Sequence, residues 1–139
     1  MAIFVAGNAV NTGNLLRFGR GQYLAALRFM EKNSDAREVV ITSDHDFRNG
    51  MLVNYYKRYL ARPDSVRYAN GATLNEQGAE WLILHCFELT KRPARVTDDY
   101  GNSYQLVSIY RYSDLSGWNW LLYHNLNRPL GPVQALLSQ

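Results

Sequence analysis

The residues best suited to chemistry stand together at positions 43–49, which read Ser-Asp-His-Asp-Phe-Arg-Asn. Their carboxylates and imidazole belong to the groups that accept hydrogen bonds, bind metal ions or transfer protons. The stretch follows an apolar run at 39–42 and precedes a helical pattern that begins near Gly50. A polar loop between a buried strand and a helix lies at the carboxyl end of that strand, where ligands of open α/β sheets bind. The candidate ligand-binding residues of this loop are Asp44, His45, Asp46, Arg48 and Asn49.

Helix capping is the competing explanation for the acidic residues of this loop. Ser43 and Asp46 have the spacing of a capping box, so the next helix is expected to begin at one of these two residues. A metal site draws convergent ligands from separate elements, whereas consecutive side chains point in different directions. No second group at a catalytic spacing accompanies His45. The sequence therefore favours capping, and it predicts no catalytic residue, no metal site and no cofactor.

Two further pairs of residues have both a functional and a structural interpretation. His85 and Cys86 lie in an apolar run that predicts a strand, which favours a satisfied core or edge histidine beside a small hydrophobic thiol. Trp118 and Trp120 share one face of another predicted strand, where they are either a sugar-stacking platform or cross-strand packing. We favour packing, and keep both tryptophans as candidate ligand-binding residues.

The elements that position these residues follow from hydrophobic periodicity. One α/β domain is predicted over residues 21–139, after an irregular arm at 1–20 that is also a possible stub of a membrane span. Strand, helix and strand in succession predict a parallel βαβ half, and a C-terminal antiparallel hairpin extends it into a mixed sheet with helices packed on it. The predicted helices cover 21–33 and the region from 43 or 46 to about 62; the predicted strands cover 39–42, 66–69, 81–87, 104–112 and 118–124.

Composition excludes several classes of protein. The 139 residues carry a net charge of +3, with basic residues spread along the chain rather than clustered, which argues against nucleic-acid binding. The single cysteine excludes an intrachain disulfide and a cysteine-based zinc site. No stretch reaches the roughly 20 apolar residues that a membrane-spanning helix needs. The sequence is thus typical of a globular domain.

Several short pieces of the chain together resemble one family. They are the segment 15–23, which reads LLRFGRGQY; the 43–49 loop with the Tyr-rich helix after it; WLILH at 81–85; YQLV at 104–107; and SGWNWLLY at 116–123. The chain resembles the soluble C-terminal domain of bacterial integral-membrane glycosyltransferases of the GT-C type, the relatives of dolichyl-phosphate-mannose:protein mannosyltransferases.

The resemblance implies a non-catalytic role. Enzymes of this family take a sugar from a polyprenyl-phosphate donor, and their catalytic carboxylate lies in a loop between the first membrane helices, to which nothing in this chain corresponds. The family implies a periplasmic or extracytoplasmic domain at the bacterial inner membrane, with the membrane-embedded part of the enzyme as partner. A glycan or a lipid-linked sugar is the implied ligand, and the loop at 44–49 is expected to help shape the acceptor site.

Two other functions remain open on the sequence. The first is a free-standing, cytoplasmic α/β ligand-binding protein or enzyme that uses the 43–49 loop. The second is an interaction module in which the arm at 1–20 and the apolar tail at 133–137 bind a partner.

Overall fold

The computed structural model describes residues 9, 12–13, 21–35, 37–111 and 119–129. Besides helical residues at 9 and 12–13, the described elements that build the sheet and cover it are α1 (Tyr23–Lys32), β1 (Val39–Ser43), α2 (Asp46–Tyr56), β2 (Val66–Tyr68), β3 (Trp81–Cys86), β4 (Arg95–Thr97), β5 (Ser103–Tyr110) and β6 (Asn119–Asn125). The strands form one sheet in the order β2-β1-β3-β6-β5-β4. The predicted arm at 1–20, the loop at 112–118 and the tail at 133–137 lie outside the described residues or almost entirely so.

The sheet has a parallel half and an antiparallel half. Strand β1 pairs in parallel with β2 on one side and with β3 on the other, while β3, β6, β5 and β4 pair antiparallel in turn. The chain therefore forms a mixed α/β domain with a parallel βαβ half, and the antiparallel pair β5–β6 confirms the predicted hairpin strands. Because the carboxyl ends of β1, β2 and β3 point the same way, the residues at these ends meet along one side of the domain.

Both helices pack on one face of the sheet. Buried side chains of α1 recur at helical spacing, at Tyr23, Ala26, Leu27 and Met30, so they form a single stripe. This stripe packs on alternate residues of the adjacent strands β1, β3 and β6; these include Ile41, Trp81, Ile83, Trp120 and Leu122. Burying an aliphatic side chain of this kind contributes about 1.5–3 kcal/mol to stability. The helices thus fix β1 and β3, the strands that carry the candidate loop and His85.

Strand β1 is buried on both faces, as its β-branched sequence predicts. Val39 and Ile41 join the helix-side core, while Val40 packs with Ala69 and Ala79 on the other side. A strand that is covered on both sides cannot shift its register without exposing apolar surface. The loop that follows β1 therefore leaves the sheet at a fixed position.

A β-bulge in β5 reverses the side of the sheet to which Tyr110 points, compared with simple alternation along the strand. Period-2 alternation from Tyr104 places Tyr110 on the same face as Tyr104, but the register with β6 shifts between Leu106 and Ser108. After this shift Ile109 packs with Tyr104 and Leu121, whereas Tyr110 packs on the helix-side core. Tyr110 departs from simple alternation because one extra residue in a strand turns every later side chain to the opposite face.

Candidate functional site

The carboxyl ends of the three parallel strands bring together polar residues that are distant in sequence. We call Ser43, Asp44, His45 and Asp46, which follow or end β1, together with Tyr68 of β2 and His85 of β3, the rim. Since β1 lies between its two neighbours, Asp44 contacts His85 on one side and Asp46 contacts Tyr68 on the other. The rim is therefore held by side-chain contacts across all three strands.

Asp44 and His85 form the closest polar contact of the rim. Oδ1 of Asp44 lies 2.6 Å from Nδ1 of His85, and Oδ2 accepts a hydrogen bond of 3.0 Å from the backbone N–H of His85. The backbone N–H of Asp44 donates to the carbonyl of Ile83 at 3.1 Å, so the carboxylate is anchored at its own backbone as well. His85 lies at the end of a central strand and is hydrogen-bonded, so the prediction of a satisfied histidine is confirmed. The identity of its partner was not predicted.

His45 caps helix α2. Its Nδ1 accepts a hydrogen bond of 3.4 Å from the backbone N–H of Arg48, and α2 begins at Asp46, one of the two expected starts. The capping box between Ser43 and Asp46 does not form, because Ser43 accepts instead from the N–H of His45 at 3.2 Å. The His45 ring meets the His85 ring edge-on, with centroids 5.5 Å apart. The cap thus also orients the imidazole of His45 beside the Asp44–His85 pair.

Tyr68 links the other side of the rim. Its hydroxyl donates to Oδ1 of Asp46 at 2.9 Å and lies 2.7 Å from the hydroxyl of Ser43, while Oδ2 of Asp46 accepts from the N–H of Gly71 at 3.0 Å. Burial, followed by the hydrogen bond to Asp46 and its negative charge, raises the pKa of Tyr68 well above its usual range. The phenol therefore remains a hydrogen-bond donor at every physiological pH.

Gly50 permits α2 to lie directly on the Tyr68 ring. A Cβ atom at this position would stand 3.1 Å from Cε1 of Tyr68, closer than ordinary packing allows. The close approach of helix and ring holds the phenol in place, so Asp46 keeps its partner.

Two of the remaining candidate residues, Asn49 and Trp120, are buried, and the structure does not describe Trp118. Trp120 is 1% exposed and packs against the Tyr23 ring, with centroids 4.7 Å apart. Trp120 is therefore packed between the sheet and α1, as the packing interpretation expected, and it cannot act as a sugar platform, which needs an exposed indole face. Asn49 is fully buried, and Arg48 is half-buried. Among the predicted residues, Asp44, His45 and Asp46 are the ones that the structure brings together at the surface.

Two exposed phenylalanines flank the rim. Phe47 follows Asp46 and is 75% exposed, and Phe87 follows β3 and is 61% exposed. Sequence reasoning missed both, although an aromatic residue immediately after a polar loop is the kind of signal that could have indicated them. Rings at such positions offer flat apolar surfaces beside fixed hydrogen-bonding groups.

The rim offers hydrogen-bonding groups, and neither of the hydroxyl or thiol groups beside it is an activated nucleophile in this structure. Cys86 is the nearest thiol, but burial and then the charge of Asp44 raise its pKa, which disfavours a thiolate nucleophile. Ser43 is occupied by Tyr68. Among the described residues, no three side chains of His, Cys, Asp or Glu are grouped so that they could bind a metal ion. The rim therefore offers oriented carboxylates and an imidazole as partners for hydroxyl or amide groups.

Comparison of the chain with protein-family models, with curated proteins and with solved structures gave no match. None of the helices within the described residues has the length and apolar character needed to cross a membrane.

Proposed function

We propose that this chain is a non-catalytic ligand-binding domain of a membrane-embedded glycosyltransferase that uses a polyprenyl-phosphate sugar. In this proposal the rim binds hydroxyl groups of the glycan acceptor. The observation that carries the proposal is the Asp44–His85 pair, which holds an exposed carboxylate in one orientation at the carboxyl end of the sheet.

Preorganisation is the physical argument for ligand binding. Asp44 and Asp46 each use both carboxylate oxygens for internal hydrogen bonds, yet a carboxylate has about four lone-pair sites and can accept further bonds from a ligand. Because these side chains are already fixed, a ligand does not have to order them, which reduces the entropy lost on binding. Sugars offer many hydroxyl donors together with apolar faces, and these features complement the carboxylates and the exposed rings of Phe47 and Phe87.

Binding of sugars tests the first half of the proposal. Mannobiose and N,N′-diacetylchitobiose are titrated into the isotope-labelled chain, and the backbone amide signals of residues 44–46 and 71 are followed by NMR. We expect saturable shifts that Asp44→Asn and Phe87→Ser weaken about tenfold each, since each removes one contact of about 1.4 kcal/mol. Asp99→Asn is the matched control, because Asp99 lies in the turn between β4 and β5 at the far end of the strand order. Equal weakening in the control, or no saturable shift with either disaccharide, contradicts a glycan site at the rim.

The encoding gene tests the second half. A reading frame that continues upstream of the first codon through a series of apolar spans supports the membrane-embedded parent enzyme. A start codon with nothing coding upstream contradicts it. Sugar transfer from a polyprenyl-phosphate donor by the purified 139-residue chain would contradict the non-catalytic role.

The Asp44–His85 pair also favours one alternative function, that of a free-standing hydrolytic enzyme. A carboxylate that bonds Nδ1 of a histidine is half of the arrangement in which an imidazole acts as a general base. The alternative needs a nucleophile or water beside the imidazole of His85 or of its neighbour His45. Hydrolysis of ester or amide probes that is lost in both His85→Gln and Asp44→Asn would favour this alternative over the domain role.

A further inference from the structure

The outward side of α2, together with the single 3-10 turn that follows it at Lys57–Tyr59, carries a row of exposed apolar and aromatic side chains. The row consists of Phe47, Met51, Tyr55 and Tyr59, which follow one another at four-residue spacing and are 75%, 54%, 48% and 50% exposed. Side chains four residues apart lie on the same side of a helix. The opposite side of α2 carries the buried Val53 and Gly50. We propose that this row, the α2 row, docks on the surface of an anionic phospholipid bilayer.

The positive charge around the α2 row favours an anionic binding partner. From 47 to 62 the chain carries four cationic side chains, at 48, 57, 58 and 62, and no carboxylate. Arg62 is paired with Glu31, and the Nζ of Lys57 donates to the carbonyl of Val66 at 3.1 Å, so neither is the principal cation of the row. In sequence this range is flanked by the carboxylates of Asp46, which is bound to Tyr68 and Gly71 at the rim, and of Asp64. A cationic helix face with exposed aromatic residues is typical of segments that lie in the headgroup layer of an anionic membrane.

The side chain of Arg58 packs against the aromatic rings of the α2 row and does not extend away from them. Its guanidinium carbon lies 4.2 Å from the centroid of the Tyr55 ring and 5.9 Å from that of Tyr59, and its Nε donates to the carbonyl of Tyr55 at 2.7 Å. The cation is therefore held against two phenol rings, where it can pair with a phosphate while the rings enter the headgroup region. Tyrosines favour this region because one end of the side chain is apolar and the other is polar.

Docking through the α2 row would place the rim close to the membrane. Phe47 begins the row and directly follows Asp46, so the rim and the row are continuous along the chain. Membrane docking by the α2 row does not depend on what the rim binds. Of the four residues of the row, Phe47 alone also flanks the rim.

The test is cosedimentation of the 139-residue chain with vesicles. One set contains phosphatidylglycerol and phosphatidylethanolamine, and the other contains phosphatidylcholine alone. We expect binding to the anionic set that weakens strongly between about 0.1 M and about 1 M salt, over which the screening length falls from roughly 10 Å to 3 Å. Arg58→Gln should lower binding about fivefold, the loss expected for one surface cation. The double variant Tyr55→Ser/Tyr59→Ser should lower it by about tenfold or more.

Matched controls come from the chain itself. Tyr100 is 50% exposed in the turn between β4 and β5, and Leu126 is 46% exposed after β6, so Tyr100→Ser and Leu126→Ser remove similar exposed groups far from α2. Circular dichroism checks that every variant folds. Binding that falls only in the row variants supports the proposal.

Three outcomes overturn the inference. One is the absence of binding to anionic vesicles at low salt; another is equal binding to both vesicle sets that Arg58→Gln leaves unchanged. The third is a dimer in solution that the row variants dissociate while vesicle binding stays at background, which would make the row a self-association surface. None of these results affects sugar binding by Asp44 and Phe87, so the two proposals can fail separately.

Discussion

Asp44 and His85 are 41 positions apart in the chain, yet Oδ1 of the aspartate lies 2.6 Å from Nδ1 of the histidine. They meet because β1 and β3 are neighbouring parallel strands whose register pairs Ser43 with Ile83. An ionised carboxylate can only accept a hydrogen bond, so Nδ1 of His85 must carry the proton in this contact. The sheet therefore decides the tautomer of an imidazole whose side chain is only 10% exposed.

This tautomer is the first prediction. Long-range nitrogen–proton NMR spectra at neutral pH should show His85 protonated at Nδ1. Asp44→Ala should populate both tautomers and lower the free energy of unfolding by about 1–3 kcal/mol, because it removes a charge-assisted contact and leaves donors unpaired. Asp46→Ala is the control, since Asp46 contacts Tyr68 and Gly71 and should leave the His85 signals as they are. A wild-type His85 protonated at Nε2 alone would contradict the contact.

The reactivity of Cys86 provides the second prediction, on pH dependence. Burial, and then the negative charge of Asp44, raise the pKa of this thiol, so at pH 8 less of it is thiolate than in an unhindered thiol. Alkylation by iodoacetamide, followed by mass spectrometry, should therefore be slow at pH 8 and should increase further into the alkaline range. Asp44→Asn should move this rate profile to lower pH, because it removes a charge that opposes ionisation. Asp46→Asn should leave the profile unchanged, and an identical shift in both variants would refute the role of Asp44.

Gly78 is expected to tolerate no side chain. Its φ is +62°, and a Cβ atom there would stand 2.6 Å from the hydroxyl oxygen of Tyr104 and 2.7 Å from Nδ2 of Asn102. Both neighbours are buried and bonded to Asp98, so neither can move freely. Gly78→Ala should lower the free energy of unfolding by about 3 kcal/mol or more, measured by urea denaturation.

The variant Gly101→Ala separates the two causes of the stability loss expected for Gly78→Ala, which are the positive φ and the steric contact. The φ of Gly101 is +85°, but a Cβ atom there meets nothing within 4 Å. Gly101→Ala should therefore carry only the backbone cost of about 1–2 kcal/mol. Equal losses in the two variants would show that the contact with Tyr104 and Asn102 contributes nothing.

Asn49 leads to a prediction of increased stability. Its side chain is fully buried in α2, and neither its amide oxygen nor its amide nitrogen has a hydrogen-bond partner. Asn49→Leu, of similar shape, should raise the free energy of unfolding by about 1–2 kcal/mol, because an unpaired buried amide is unfavourable. Asn54→Leu on the exposed side of the same helix reports the change in helix propensity alone. A loss of stability in Asn49→Leu beyond that of the control would mean that the amide has a partner in solution.

Local patterns in the sequence were sufficient to predict the mixed sheet. The run at 39–42 has no polar residue until Thr42, which indicated a strand covered on both sides, and the spacing of buried residues in α1 indicated its single apolar face. Strand β4 was not predicted, because its three residues include only one apolar side chain, that of Val96. A strand this short is defined by pairing with β5 and not by its own composition.

Local sequence patterns could not predict the side-chain contacts of the rim. The sequence placed Asp44 in a polar loop and His85 in an apolar strand, but the register that joins them belongs to the sheet as a whole. Helical spacing alone gives one common side of the segment after the loop to its larger apolar and aromatic residues, which are Leu52, Tyr55, Tyr56, Tyr59 and Leu60. In the structure Leu52, Tyr56 and Leu60 pack on the core while Tyr55 and Tyr59 stay half exposed, since the stripe is wider than the surface that receives it.

Because of the extra residue in β5, a deletion within this strand would change which side chains point into the core. If Val107 were deleted, Ile109 and Tyr110 would exchange the sides to which they point, and the phenol ring would leave Phe29, whose ring centroid lies 6.3 Å away. The turn at 98–102 has no such constraint on its outer positions, where Tyr100 and Gly101 face solvent. Insertions and deletions among homologous chains should accordingly accumulate in that turn and avoid the middle of β5.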